Sequence, residues 1–127
     1  MGRVTKELSK LKNLNLIALP DYPQNIALGW EKIIHGLYLI PEAITSPEII
    51  TNRIIEINSV NKLDCVIPCD DEDIYAISKG KHILADNGIH TLIPPPFAIE
   101  AVQKSNLYKT LVGMGLHVPP QLCIKDR

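Results

Sequence analysis

Four acidic side chains stand together at residues 70–73, directly after a short apolar run. Cys65, Val66 and Ile67 favour a buried parallel strand, and Pro68 ends it because proline has no N–H to donate to the ladder. We expect the Asp70 side chain to accept hydrogen bonds from the next turn, and the acids after it to suit the positive end of a helix dipole. In open α/β sheets ligands bind at such strand-to-helix junctions, so this stretch is the first candidate for a site.

The same carboxylates offer a second interpretation, a magnesium site. Asp70, Asp71 and Asp73 carry the oxygen ligands that Mg²⁺ prefers. Helix capping explains the same residues without a metal, and we favour it. The cysteines and histidines do not have zinc-site spacing, and neither a glycine-rich phosphate loop nor a nucleophile elbow occurs in the sequence.

Composition restricts the class of protein. With 127 residues, of which 46% are hydrophobic, the chain can bury a core in one domain. A formal charge of −1 and only 5% aromatic residues argue against a nucleic-acid partner. No apolar run approaches the roughly 20 residues that span a bilayer, so no membrane partner is expected. Cys65 and Cys123 lie in apolar runs, which predicts buried, reduced thiols and a cytoplasmic protein.

Strand and helix signals alternate along the chain. They predict strands at residues 14–19, 37–40, 64–67, 89–93 and 121–124. Helices are predicted at residues 3–12, 26–34 (with Trp30 inward), 46–60 (with Val60 on the apolar stripe), 70–86 (interrupted at Gly80), 97–103 and 105–114 (with Met114 inward). Because the strands recur at steps of about 22 to 27 residues with helices between them, we predict an α/β fold, a three-layer Rossmann-like parallel sheet.

The two ends of the chain do not fit a complete Rossmann-like domain. The chain begins on a helix where an opening strand is expected, and it stops at Arg127 as a new strand begins. Both ends therefore suggest a part of a larger fold that lacks its first strand.

The order of features from residue 64 onward resembles a known family. Residues 64–68 read Asp-Cys-Val-Ile-Pro and are followed by the acids, by Asn-Gly-Ile at 87–89, by three prolines at 94–96, by Lys104, and by Gly-Leu-His-Val-Pro-Pro at 115–120. This order resembles the N-terminal, pre-ATP-grasp domain of ATP-grasp enzymes similar to the carbamoyl phosphate synthase large subunit and biotin carboxylase. Residues 16–41 resemble the stretch from that family's second strand to its third.

The resemblance implies an ATP-dependent ligase. In such enzymes ATP phosphorylates a carboxylate, Mg²⁺ bridges the phosphates, and an amine or other nucleophile displaces the new phosphate. Lys104 matches a lysine that reaches bound ATP in several members, although a solvated lysine at a helix start explains it equally well. Pro68, Asp70 and Asp71 are implied to line the crevice that faces the substrate.

Three departures from the family pattern limit which of the family's properties we expect of this chain. Gln103 stands where the family has aspartate, and the first strand with its loop is missing. The chain also stops before the ATP-grasp body, which supplies the nucleotide cleft and the Mg²⁺ carboxylates. We therefore expect residues 1–118 to form the pre-ATP-grasp domain and 119–127 to begin the connection to the absent domain. Alone, the chain is expected to be inactive and to bind neither ATP nor Mg²⁺ tightly.

A second hypothesis is a free-standing Rossmann-like module that binds a small ligand, for example an anion, or that oligomerises. The two hypotheses differ in whether the reading frame continues past Arg127, by about 180 residues or more for an ATP-grasp body. A missing central strand would also leave apolar strand edges at Leu16 and Val66, which predicts a homodimer or a higher oligomer.

Overall fold

The structure is a computed structural model that describes residues 2–22, 32–42 and 46–120, with side chains from residue 4 onward. Within these ranges the helices are α1 (Gly2–Leu8), α2 (Pro47–Val60), α3 (Asp71–Asp86), α4 (Pro96–Val102) and α5 (Lys104–Gly113). The strands are β1 (Ile17–Ala18), β2 (Gly36–Leu37), β3 (Cys65–Val66) and β4 (His90–Thr91). The helix expected around Trp30 and the strand expected at 121–124 lie outside the described residues.

The strands form two short parallel sheets. In the first, β1 pairs with β2, with Ile17 opposite Gly36. In the second, β3 pairs with β4, with Cys65 opposite His90. The predicted mixture of helices and parallel strands is therefore confirmed. Among the described residues each sheet has two strands, so a continuous three-layer Rossmann-like sheet stays a prediction.

The pairing of β1 with β2 extends beyond the assigned strands. The Tyr38 N–H donates to the Ala18 carbonyl at 3.0 Å, and the Ile40 N–H donates to the Pro20 carbonyl, also at 3.0 Å. These bonds continue the parallel alternation as far as the two prolines, Pro20 and Pro41, that follow the apolar runs.

Helices α2 and α3 pack closely against each other and form much of the core. Ile50, Ile54 and Ile57 of α2 and Leu84 of α3 are almost completely buried. Gly80 of α3 lies against Thr51 of α2, where an added Cβ would overlap the threonine side chain. Glycine at this position therefore permits close helix contact, and the predicted interruption of α3 at Gly80 is wrong.

Three residues that we expected to be buried are exposed. Val60 is 75% exposed and Met114 is 70% exposed. Each lies at the C-terminal end of its helix, where the apolar side of the helix extends beyond the residues that it packs against. Cys65 is also exposed, whereas its neighbour Val66 is buried. Cys65 would be buried only in a strand covered on both faces. Successive side chains of β3 point to opposite faces, and the face that carries Cys65 is open to solvent.

The chain divides into two compact units, Met1–Leu92 and Ile93–Arg127. The first unit contains α1 to α3 and all four described strands. In the second unit the Thr110 hydroxyl donates to the Ala101 carbonyl at 2.7 Å and joins α5 to α4. The predicted boundary between residues 118 and 119 stays a prediction. Across the described residues, no helix combines the length and apolar character required to cross a membrane.

Candidate functional site

Three strands of the first unit are followed by the same short pattern. In each case an apolar residue precedes a proline, and a carboxylate follows within two residues of that proline: Leu19-Pro20-Asp21, Ile40-Pro41-Glu42 and Ile67-Pro68-Cys69-Asp70. The proline stops the hydrogen-bond ladder, and the acid then stands at the carboxyl end of the strand.

The carboxyl ends of β1, β2 and β3 open onto one crevice of about 430 Å³. Such a position, outside the carboxyl ends of parallel strands, is where α/β proteins usually bind ligands. Among the described residues, its lining includes one tyrosine and six carboxylate residues: Asp21, Tyr22, Glu42, Asp70, Asp71, Glu72 and Asp73. We take this acidic crevice as the candidate site.

Two of the residues expected at the substrate crevice are found in its lining. Asp70 and Asp71 both contribute to the acidic crevice, whereas Pro68 is half-buried and is not among the lining residues. Lys104, the expected ATP contact, is exposed and is the first residue of α5 in the second unit.

The crevice also contains residues that sequence reasoning missed. Asp21, Tyr22 and Glu42 come from strand ends far from residue 70 in the chain. The signal was present, because both acids directly follow a proline that closes an apolar run. Each proline taken alone predicts only the end of a strand, and the shared acid becomes a signal when the three strand ends are compared.

Asp70 does not cap α3 in the way we expected. It is the N-cap residue, with extended backbone angles of φ −117 and ψ 152, but its side chain makes no capping hydrogen bond. Its backbone carbonyl accepts the Ile74 N–H at 2.9 Å. The expected side-chain capping is therefore wrong, and the Asp70 carboxylate contributes to the crevice lining.

The electrostatics of the crevice follow from its composition. Burial raises the pKa of Asp73, and the neighbouring carboxylates of Asp70, Asp21 and Glu72 raise it further. Burial also raises the pKa of the Cys69 thiol, and Asp70 and Asp73 act in the same direction. Cys69 is thus shifted away from the thiolate form that a nucleophile requires.

A crevice with this lining suits some ligands and disfavours others. Carboxylates accept hydrogen bonds and attract ammonium, guanidinium or metal cations, but they repel phosphates and other carboxylates. Among the described side chains, no group of three or more histidine, cysteine or acidic residues is arranged to hold a metal ion. The charge of the lining therefore favours an uncharged polar group or a cation over an anion.

No protein-family model matches the chain, and no curated protein matches it at a significant level.

Proposed function

We propose that this chain is the N-terminal domain of an ATP-grasp ligase similar to the carbamoyl phosphate synthase large subunit. In this proposal it helps to form the substrate crevice and is not catalytic alone. The observation that carries the proposal is the position of Asp70 and Asp71 in a crevice at the carboxyl ends of parallel strands. The resemblance implies this position for both residues.

The strand pairing supports the same proposal. The pairs are β1 with β2 and β3 with β4, and no described strand lies between β1 and β3. A Rossmann-like sheet of this family that lacks its central first strand would be expected to leave two such parallel pairs.

The negative charge of the acidic crevice determines which substrate of the proposed ligase can bind there. The six carboxylates of the acidic crevice repel both a polyphosphate and a carboxylate, so of the ligase's substrates the crevice would suit the amine nucleophile. ATP would be held elsewhere, with Lys104 as its contact from this chain. An exposed ammonium group at the start of a helix can approach phosphate oxygens as a point charge. Mg²⁺ would be held by the remainder of the enzyme and would neutralise charge between the phosphates.

Calorimetry tests whether the chain has a nucleotide site of its own. ATP would be titrated, with and without Mg²⁺, into the chain, Lys104→Ala and Lys109→Ala. Lys109 is the matched control because it is an exposed lysine of the same helix. We expect no saturable binding to any of the three. Binding that Lys104→Ala alone abolishes would instead favour a free-standing nucleotide-binding module.

The activity itself would be tested on the complete reading frame that contains this chain. We expect that protein to release ADP in a reaction that depends on a carboxylate substrate and a nucleophile. Lys104→Ala should raise the KM for ATP by roughly tenfold, the loss of one charge-assisted contact, and Lys109→Ala should not. A frame that ends at Arg127, or ADP release that is the same in both variants, contradicts the proposal.

One observation supports the alternative function, a free-standing small-ligand module. All of the described residues that line the acidic crevice belong to the first unit. Its carboxylates disfavour the anionic ligand of the second hypothesis and favour an amine. A thermal-shift comparison of small amines with small carboxylates would separate this alternative, since only the module should respond to an amine without a partner domain. Cytoplasmic location and a homodimer stay predictions.

A further inference from the structure

Three consecutive prolines, Pro94 to Pro96, lie at the start of the second unit. A proline ring restricts its own φ to about −65° and disfavours helical angles for the residue before it. Ile93, Pro94 and Pro95 each precede a proline, so these rules direct all three to extended or polyproline II angles. The angles of Pro95, φ −67 and ψ 156, are those of a polyproline II helix. The backbone of this segment therefore has a fixed, extended shape.

Burial along the segment follows a three-residue spacing. Ile93 is 8% exposed and Pro96 is half-buried, whereas the two prolines between them are exposed. A polyproline II helix has three residues per turn, so Ile93 and Pro96 lie on its buried side, and Pro94 and Pro95 lie on the sides that face solvent. Phe97, the next residue, is 73% exposed. We call Pro94, Pro95 and Phe97 the proline patch.

The chemistry of the proline patch restricts what can bind to it. Because prolines have no N–H to donate, this segment cannot form the ladder that an added β-strand requires. The Pro95 carbonyl is already engaged, since it accepts the Ala98 N–H at 3.0 Å at the start of α4. Residues 91–99 contain no charged side chain, so they offer no counter-charge to an ionic partner. The patch therefore offers the apolar surface of two proline rings and one aromatic ring on a fixed backbone.

We propose that the proline patch binds a partner protein whose groove is lined with tryptophan and tyrosine side chains. Grooves of this kind recognise polyproline II segments, because their aromatic rings pack against proline rings and the preformed segment loses little conformational entropy. An indole or phenol group of the groove would donate to the Pro94 carbonyl while its ring covers the neighbouring proline. Phe97 would fill an adjacent apolar pocket of the partner.

This surface is separate from the acidic crevice, because none of its three residues is among the described residues that line that crevice. The proposal concerns a protein partner and does not depend on whether the chain belongs to an ATP-grasp ligase.

Nuclear magnetic resonance tests the proposal on the intact chain. The probes are isolated domains of the SH3, WW and EVH1 classes, all of which bind polyproline II segments in aromatic-lined grooves. Unlabelled chain is titrated into each isotope-labelled domain, and the indole N–H resonance of a groove tryptophan reports binding. The test variants of the chain are Pro94→Ala and Phe97→Ala. Pro119→Ala is the matched control, since Pro119 is an exposed proline of the same unit outside the patch.

We expect saturable binding to at least one of the three domains. Pro94→Ala should weaken this binding by roughly tenfold, because it removes buried ring carbons and releases the backbone angle. Phe97→Ala should weaken it by a similar factor, and Pro119→Ala should leave it unchanged. The affinity should be nearly the same at low and high salt, because the contact contains no charge pair.

The two test variants protect the experiment against misfolding. Circular dichroism of each variant should show the helix content of the original chain. Phe97 is an exposed residue of α4, and alanine favours helix, so Phe97→Ala remains informative even where Pro94→Ala alters the fold.

Four results would overturn the proposal. Failure of all three domains to bind would show that the chain does not present the patch to an aromatic groove. Equal weakening by Pro119→Ala would place the contact outside the patch. A steep loss of affinity with salt would indicate an ionic contact. Self-association of the chain that Phe97→Ala abolishes would assign the patch to a second copy. The assay contains no nucleotide, so its outcome is separate from that of the ATP experiments.

Discussion

At the scale of single residues, the acidic crevice is the feature that most distinguishes this chain. Asp73 is half-buried, and both its burial and the carboxylates of Asp70, Asp21 and Glu72 disfavour its ionised form. A folded protein that holds a carboxylate in this way loses stability relative to one with a neutral side chain there. Such residues are commonly retained for function, which is consistent with a ligand site at this position.

We predict that Asp73→Asn stabilises the chain at neutral pH. Since the pKa of Asp73 is raised above 3.8 in the folded state, the folded chain holds the proton more tightly than the unfolded chain. Stability therefore falls as the pH rises from 3.8 through the raised pKa, and above that window the loss is complete. The gain for Asp73→Asn should be below about 1 kcal/mol, because solvent screens a partly exposed carboxylate.

Urea unfolding of both proteins between about pH 3.5 and pH 7 measures this effect. The difference in unfolding free energy should be near zero at the acidic end and should grow with pH. Asp64→Asn is the control, since Asp64 is exposed and lies outside the crevice lining. A difference that is constant across this range would show that Asp73 acts through packing and not through its charge.

At the scale of elements, the contact between α2 and α3 depends on one missing side chain. Thr51 is 1% exposed, and its hydroxyl donates to the Pro47 carbonyl at 2.8 Å within α2. Gly80 faces this side chain with no room for a Cβ. A glycine inside a helix usually lowers stability relative to alanine, so close packing is the physical reason for its presence here.

We predict that Gly80→Ala destabilises the chain by about 1–3 kcal/mol, the usual cost of overpacking a core. The matched control is Gly113→Ala in α5, where an added Cβ meets no atom within 4 Å and should stabilise by up to about 1 kcal/mol. Thermal or urea unfolding measures both. The double variant Thr51→Ala/Gly80→Ala should be less destabilised than the sum of its parts. Additive effects would mean that the two residues do not determine each other's packing.

At the scale of the whole molecule, burial is unequal between the two units. Of the twelve buried hydrophobic residues in the described part of the chain, ten belong to the first unit. The second unit contributes Ile93 and Ile99, and α5 has no buried residue. Since apolar burial is the main stabilising term in folding, the first unit should carry most of the stability.

We predict that a fragment of residues 1–92 folds cooperatively and that one of residues 93–127 does not. Circular dichroism with thermal unfolding measures both fragments. The longer fragment should keep its transition, with Tm within about 4–8 °C of the full chain, the shift that about 1 kcal/mol produces in a domain of this size. Loss of the transition in residues 1–92 would show that the core of the first unit needs the second.

The local features of the fold were predictable because they depend on neighbouring residues. Pro47 begins α2 after Ser46, and Gly88, after the end of α3, takes the left-handed conformation with φ +76 that glycine tolerates best. Proline stops, helix starts and left-handed glycines act over a few residues, and the sequence contains them in full. The parallel direction of strand pairing was also predictable from the sequence, because strands joined through helices pair in parallel.

The tertiary structure alone decided which distant residues meet. It brought Asp21 and Glu42 to Asp70, left Cys65 exposed beside the buried Val66, and placed Gly80 against Thr51. None of these contacts is set by local propensity, because each depends on how separate elements lie against one another. By itself, the sequence determined the type and order of the described elements and which acids follow the strands, whereas the strands are shorter than predicted and α1 ends at Leu8, before the predicted residue 12. The packing of those elements, which buries apolar surface from distant parts of the chain, gathered the acids into one crevice.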